Sequence, residues 1–401
     1  MITDNSKRME SRAHAVIAHG ALTNSKRAAS FVRGVYPTHF KSGHKCYLVD
    51  VDKNTYIDLI CGLGTNLFGY GNRAIVERCL QVGLKGNTVF SFASDIEVEF
   101  AELFVNEHPW IEKIRMLKSG SEGCSAAVKI ARAFTGEKFV YSRGYSGWHD
   151  QFVQLTPPAY GVAPDGYMLP LQDEFIFRCD TAAVIVEPII TDYSKERILW
   201  LQRLREACDK QGVLLIFDET ITAYRYEQGS VTRRHNILPD LWIGGKAIAG
   251  GYPLSVVGGR SEIMEADYFV SSTWAGDRIA MAAGIKSIEL MKNDYRPDDL
   301  WEKGKLLQDE FNAISEHVQM IGYPTRGIFK YKDLRFKTLF MQEMCKAGIL
   351  IGASWFINRW HYAEKQNIIS IAKICIKNII NHRVVLEGKA PLSPFAEKVR
   401  S

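Results

Sequence analysis

The chain has 401 residues, of which 46% are hydrophobic and 24% charged, enough for a large α/β core with a smaller satellite and unlike a disordered, collagenous or low-complexity composition. Its 50 basic and 45 acidic side chains leave a formal net charge of +5, and no long basic run concentrates it, so nucleic acid is not an expected partner. Eight scattered cysteines, without a CxxC pair or His/Cys metal spacing, point to reduced, mostly buried thiols in a cytoplasmic protein, and no apolar stretch reaches the roughly 18 to 20 residues that span a bilayer.

The first thirty residues are polar and basic and lack the apolar core of a signal peptide, while Asp4 and Glu10 speak against a transit peptide; they read as helix and local surface. Residues 47–58 form two alternating runs around Asp52-Lys53-Asn54, a hairpin expected to open the large domain. Between about residues 95 and 260, amphipathic stretches alternate with short β-branched runs, the pattern of a mostly parallel α/β sheet flanked by helices. Strands are expected at 139–141, 183–186 and 213–217, and helices at 122–134 and 201–211. After Pro297 the pattern shifts to helices with strands near 327–331 and 349–351. The expected division is an N-terminal segment, 1–45, joining the small domain, a large ligand-binding domain, 46–295, and a C-terminal small α+β domain, 296–401.

In open α/β sheets ligands bind beyond the carboxyl ends of the strands, and four places there carry chemistry. Lys118-Ser119-Gly120-Ser121-Glu122-Gly123 enters a helix, where backbone N–H groups and the Ser121 hydroxyl suit a phosphate; an ordinary N-cap accounts for the same residues. Asp218 and Glu219 follow the most apolar strand, where an ionised carboxylate needs a cationic or donor partner. A protonated pyridine nitrogen, Mg²⁺ or a helix cap each meets that need. Lys246 lies between Gly244-Gly245 and Ala247-Ile248-Ala249-Gly250-Gly251, where little polar surface is expected, and desolvation there favours Schiff-base chemistry. Tyr145, in Tyr145-Ser146-Gly147-Trp148-His149-Asp150, offers a face for stacking on a flat heteroaromatic ring; His149 in the same loop reads more readily as structural.

Taken in order, these residues resemble the class III (ω-type) aminotransferases of pyridoxal-phosphate (PLP) fold type I, most closely the branch containing glutamate-1-semialdehyde 2,1-aminomutase. The resemblance extends over residues 30–390 and includes the hairpin, the turn 119–123, the strand ending in Glu187-Pro188, Phe217-Asp218-Glu219 and Gly245-Lys246. Ser272-Thr273-Trp274-Ala275-Gly276-Asp277 with Ala280-Met281-Ala282-Ala283 resembles the segment whose threonine binds the phosphate of the neighbouring subunit's cofactor. The resemblance implies Lys246 as the Schiff-base lysine, Asp218 pairing the pyridinium nitrogen, Gly120 and Ser121 holding phosphate, and Tyr145 stacking on the ring. It also implies a homodimer with shared sites, in which Thr273 completes the partner's phosphate site. Two departures stand out in the core, Ser146 where the family usually has His and Thr220 where it usually has Val. The arginine that binds the substrate carboxylate in the aminomutase branch is missing from residues 35–40, which argues against glutamate semialdehyde as substrate, and Trp355, Trp360 and His361 are expected near the active-site rim. Transamination between an amino donor and a carbonyl acceptor is the leading expectation. Aminomutase chemistry on the same cofactor comes second, and a non-catalytic homologue or another α/β ligand-binding protein third.

Overall fold

The computed structural model describes residues 4–155 and 161–392. The chain divides into two compact units. The first comprises the residues up to Gly64, Phe68–Asn72 and those from Glu302 onward; the second comprises Thr65–Leu67 and Arg73–Trp301.

The second unit is built on a seven-stranded sheet. Its order is Lys113–Leu117, Ser255–Gly259, Leu241–Gly244, Leu214–Asp218, Thr181–Val186, Phe139–Arg143 and Met168–Pro170. The last five run parallel, whereas Ser255–Gly259 is antiparallel to both its neighbours. Every residue of Thr181–Val186 and Leu214–Asp218 is buried, as expected when both faces of a parallel sheet are covered. The helix Gly120–Thr135 covers one face with a stripe of small residues, Ala126, Ala127 and Ala131, which lie in one core with Ala183, Ile216, Ile243 and Val257. Close approach is enforced at Gly123, where an added Cβ would lie 2.6 Å from Ser255 Oγ and 2.9 Å from Ile243 Cγ2.

The first unit holds a four-stranded sheet, Phe40–His44, Tyr47–Asp50, Thr55–Asp58 and Ile349–Leu350, and a three-stranded antiparallel sheet, Val318–Tyr323, Arg326–Tyr331 and Ser354–Phe356. The expected hairpin forms, and Asp50 organises its turn. The carboxylate accepts from the Asp52 and Asn54 N–H groups at 2.9 and 2.8 Å and from Asn54 Nδ2 at 2.8 Å, while Lys53 takes a left-handed φ of 71°. Its placement differs from expectation. The hairpin belongs to the first unit, because Thr55–Asp58 pairs in parallel with Ile349–Leu350, with Ile57 opposite Ile349. The divisions expected at 45/46 and 295/296 therefore fall near residues 64–73 and after Trp301.

All eight cysteines are free thiols and only Cys179 is exposed. Among the described residues no helix is long and apolar enough to cross a membrane.

Gly259 shows how tightly the antiparallel strand is held, since an added Cβ would meet the Asp240 carbonyl oxygen at 2.4 Å. Gly259→Ala is expected to lower unfolding stability by about 1–3 kcal/mol, read from urea denaturation; an unchanged midpoint would contradict this packing.

Candidate active site

Because the strands run parallel and side by side, their carboxyl ends deliver side chains to one edge of the sheet. Tyr145 lies two residues beyond Phe139–Arg143, Glu187 directly follows Thr181–Val186, Asp218 ends Leu214–Asp218, and Lys246 lies two beyond Leu241–Gly244. All four line a cavity of about 340 Å³, together with Gly120, Ser121 and Thr220.

One end of the cavity is the start of the helix Gly120–Thr135. Ser119 caps it: its hydroxyl accepts from the Glu122 N–H at 3.3 Å, and the Glu122 carboxylate accepts in return from the Ser119 and Lys118 N–H groups at 2.8 and 2.9 Å. That box leaves Gly120 and Ser121 at the first two helical positions, whose N–H groups have no acceptor within a helix. The loop bearing Tyr145 packs against this turn. Trp148 N–H donates to Ser121 Oγ at 3.3 Å, and Gly147, at φ 106°, lies where a Cβ would come within 2.4 Å of the same oxygen. Beside the turn, Lys118 forms an ion pair with Asp277, both largely buried.

The two strand-end acids have different surroundings. Glu219 is fully buried and accepts five hydrogen bonds, from Thr222 Oγ1, Val231 N, Thr232 N, Thr232 Oγ1 and Trp242 Nε1, at 2.6–3.1 Å. It is a structural anchor. Asp218 accepts from Cys124 Sγ at 3.2 Å on one oxygen and from the Thr220 N–H at 3.1 Å on the other, and it lines the cavity.

Lys246 opens a short 3₁₀ turn, Lys246–Ala249, in the left-handed region at φ 47°. Such backbone is costly for a residue with a Cβ, and it is held here by the buried Ala247, Ile248 and Ala249. The Tyr145 phenol is held above its ordinary range by burial and by the neighbouring Cys124 and Asp218, so it stays neutral.

The cavity fits a phosphate-bearing ring. An added Cβ on Gly120 would lie 2.7 Å from Thr220 Cγ2, filling the cradle, and Thr220 Oγ1 is buried in the wall without a hydrogen-bond partner. A hydroxyl left so costs about 1–3 kcal/mol, which an acceptor-rich ligand relieves. Among the described residues no three His, Cys, Asp or Glu side chains cluster as a metal site.

The structure thus brings Gly120, Ser121, Tyr145, Asp218 and Lys246 together. Thr273 is exposed on a turn and does not line this cavity; the helix that follows is capped by Asp277, which accepts from the Ile279 and Ala280 N–H groups at 3.0 and 3.1 Å. His149 lies outside the lining, with Nδ1 2.7 Å from Ser125 Oγ. Trp355 and His361 are buried within the first unit, His361 between the Asn358 N–H and the Asp58 carbonyl oxygen at 2.9 Å each. Sequence reasoning left Glu187 and Cys124 without roles. The strand-end position was a usable signal for Glu187; Cys124 had none.

The class-III aminotransferase pattern matches residues 32–152 and 176–354. The chain belongs to the class III aminotransferases. It is 30% identical over 394 residues to a glutamate-1-semialdehyde 2,1-aminomutase of Cytophaga hutchinsonii, covering 86% of this chain and 91% of that one. To the enzyme of that name from Persephonella marina it is 32% identical over 386 residues, covering 84% and 89%. Its fold matches the FumI protein of Sphingopyxis sp. MTA144 in its PLP internal aldimine form, with a TM-score of 0.88 at 22% identity over 96% of this chain and 98% of that one. A transaminase with PLP bound gives 0.82 at 23% identity over 96% and 100%. The fold is PLP fold type I, and the family is PLP-dependent.

Because Glu219 satisfies several buried donors at once, Glu219→Ala is expected to cost at least about 2 kcal/mol of unfolding free energy. Urea denaturation giving a value within about 0.5 kcal/mol of the parent would contradict its anchoring role.

Proposed function

We propose that this chain transfers an amino group between an amino donor and a carbonyl acceptor. Lys246 would hold PLP through its ε-amine, with Gly120 and Ser121 toward the phosphate, Asp218 toward the ring nitrogen and Tyr145 against the ring face. When bound, the cofactor supplies an electron sink for charge developing at the donor's α-carbon. Asp218 accepts from the Cys124 thiol and the Thr220 N–H, an arrangement that orients its carboxylate to hold a proton on the ring nitrogen. Once the donor's amine has taken its place on the cofactor, the freed Lys246 Nζ would serve as the base that takes the proton from the donor's carbon and returns it. The observation that carries this reading is the contrast between the two acids: five bonds engage Glu219 in the scaffold, while Asp218, with one donor on each oxygen, lies in the wall that also holds Lys246.

Aminomutase chemistry on the same residues is the second reading, favoured by the curated relatives of that name and opposed by the lack of arginine at residues 35–40. The two differ in their use of an external donor. Loaded protein mixed with a panel of amino donors and no acceptor is expected to release one equivalent of keto acid per site; isomerisation of glutamate semialdehyde without such release would favour the mutase. Lys246→Ala is expected to abolish release, and Asp218→Asn to slow it at least about 100-fold, with folding intact. Appreciable turnover by Lys246→Ala would refute the assignment.

The functional unit in this reading is a twofold homodimer in which Thr273 reaches the partner's cofactor phosphate, its hydroxyl and N–H being suitable donors. Asp277 already caps the following helix, so Thr273 is not needed there. Mixing Lys246→Ala chains with chains impaired by Thr273→Ala is expected to restore activity in mixed dimers, each of which has one site with both residues intact. No recovery despite demonstrated subunit exchange would favour sites contained in single chains.

A further inference from the structure

We infer that Cys124 is a positioning residue: its thiol proton fixes the Asp218 carboxylate in the orientation that meets the cofactor's ring nitrogen. This rests on the reading of Asp218 given above. Cys124 is only 1% exposed, and its Sγ lies 3.2 Å from Asp218 Oδ2. The other oxygen accepts from the Thr220 N–H at 3.1 Å. The carboxylate is thus held on both oxygens, from two separate elements.

The donor role follows from the environment. Burial first, and then the neighbouring Asp218 charge, push the Cys124 thiol well above the ordinary range, although Lys246 opposes the shift. The sulfur therefore keeps its proton, and beside a carboxylate it acts as donor.

The placement along the helix gives the contact a purpose. Cys124 lies one turn beyond Gly120 and Ser121 on the helix Gly120–Thr135, with about 5.4 Å of rise per turn in any α-helix. One rigid element thus holds the phosphate cradle at its first turn and the ring-nitrogen acid at its second. The spacing between the cofactor's two anchors is set by helix geometry rather than by loop conformation.

The test compares wild type, Cys124→Ala and Cys124→Ser, stripped of cofactor and titrated with PLP by visible absorbance and tryptophan fluorescence, with urea midpoints of the stripped proteins alongside. Alanine removes the donor and is expected to weaken PLP binding about tenfold, the size of a hydrogen bond to a charged group. Serine keeps a donor and is expected to bind within about threefold of wild type. In an Asp218→Asn background the alanine effect is expected to fall below about twofold, because the bond it removes is to the carboxylate. Equal weakening by alanine and serine, or an alanine effect undiminished in the Asp218→Asn background, would reduce Cys124 to a packing residue and overturn the inference. So would alanine binding as tightly as wild type. Failure of wild-type protein to bind PLP at all would overturn the reading of the site, and this inference with it.

Discussion

Two acidic side chains follow one another at the end of a fully buried strand, and each needs hydrogen-bond donors there to offset the water it gives up. Glu219 finds its donors in the scaffold. By gathering the helix start at Val231 and Thr232 together with Trp242 on the neighbouring strand, it ties two elements to the end of Leu214–Asp218. Asp218 finds its donors on the other side, in Cys124 and Thr220. The site depends on this division, because a strand end fixed by one acid can present the next in a constant position.

The rest of the site follows from strand order. Parallel strands bring their carboxyl ends to one edge, so residues far apart in the chain, Tyr145, Glu187, Asp218 and Lys246, meet around one cavity without long loops. At its start, the helix Gly120–Thr135 forms one end of that cavity. Its small residues let it lie close on the sheet, and its first turn supplies unpaired N–H groups for an anion. An amine, an acid, an anion cradle and an aromatic face are what a PLP enzyme needs to hold its cofactor and to move a proton beside it.

Much of this was legible in the chain itself, where a single local signal sufficed. The glycine-flanked Lys246, the helix entrance at Gly120 and Ser121, and the apolar run before Asp218 each announce themselves over a few residues. What was not legible depends on partners distant in sequence. Asp218 and Glu219 are equivalent as neighbours after a strand; only the bonds from Thr232 and Trp242 separate them. Cys124 acquires its role from a residue 94 positions away. The hairpin at 47–58 reads correctly as a hairpin, but its membership in the first unit is decided by pairing with Ile349, which no local pattern reveals. The antiparallel Ser255–Gly259 escaped for the same reason, since strand direction is fixed by neighbours and not by composition.

The central claim is that Lys246, among the chain's lysines, holds the cofactor. Borohydride reduction of PLP-loaded protein, followed by peptide mass mapping, tests it directly, because reduction fixes the cofactor on whichever amine carries it. The account expects one phosphopyridoxyl group per chain, on the peptide containing Gly245-Lys246-Ala247; a stoichiometric label on another lysine, or none on this one, would contradict it.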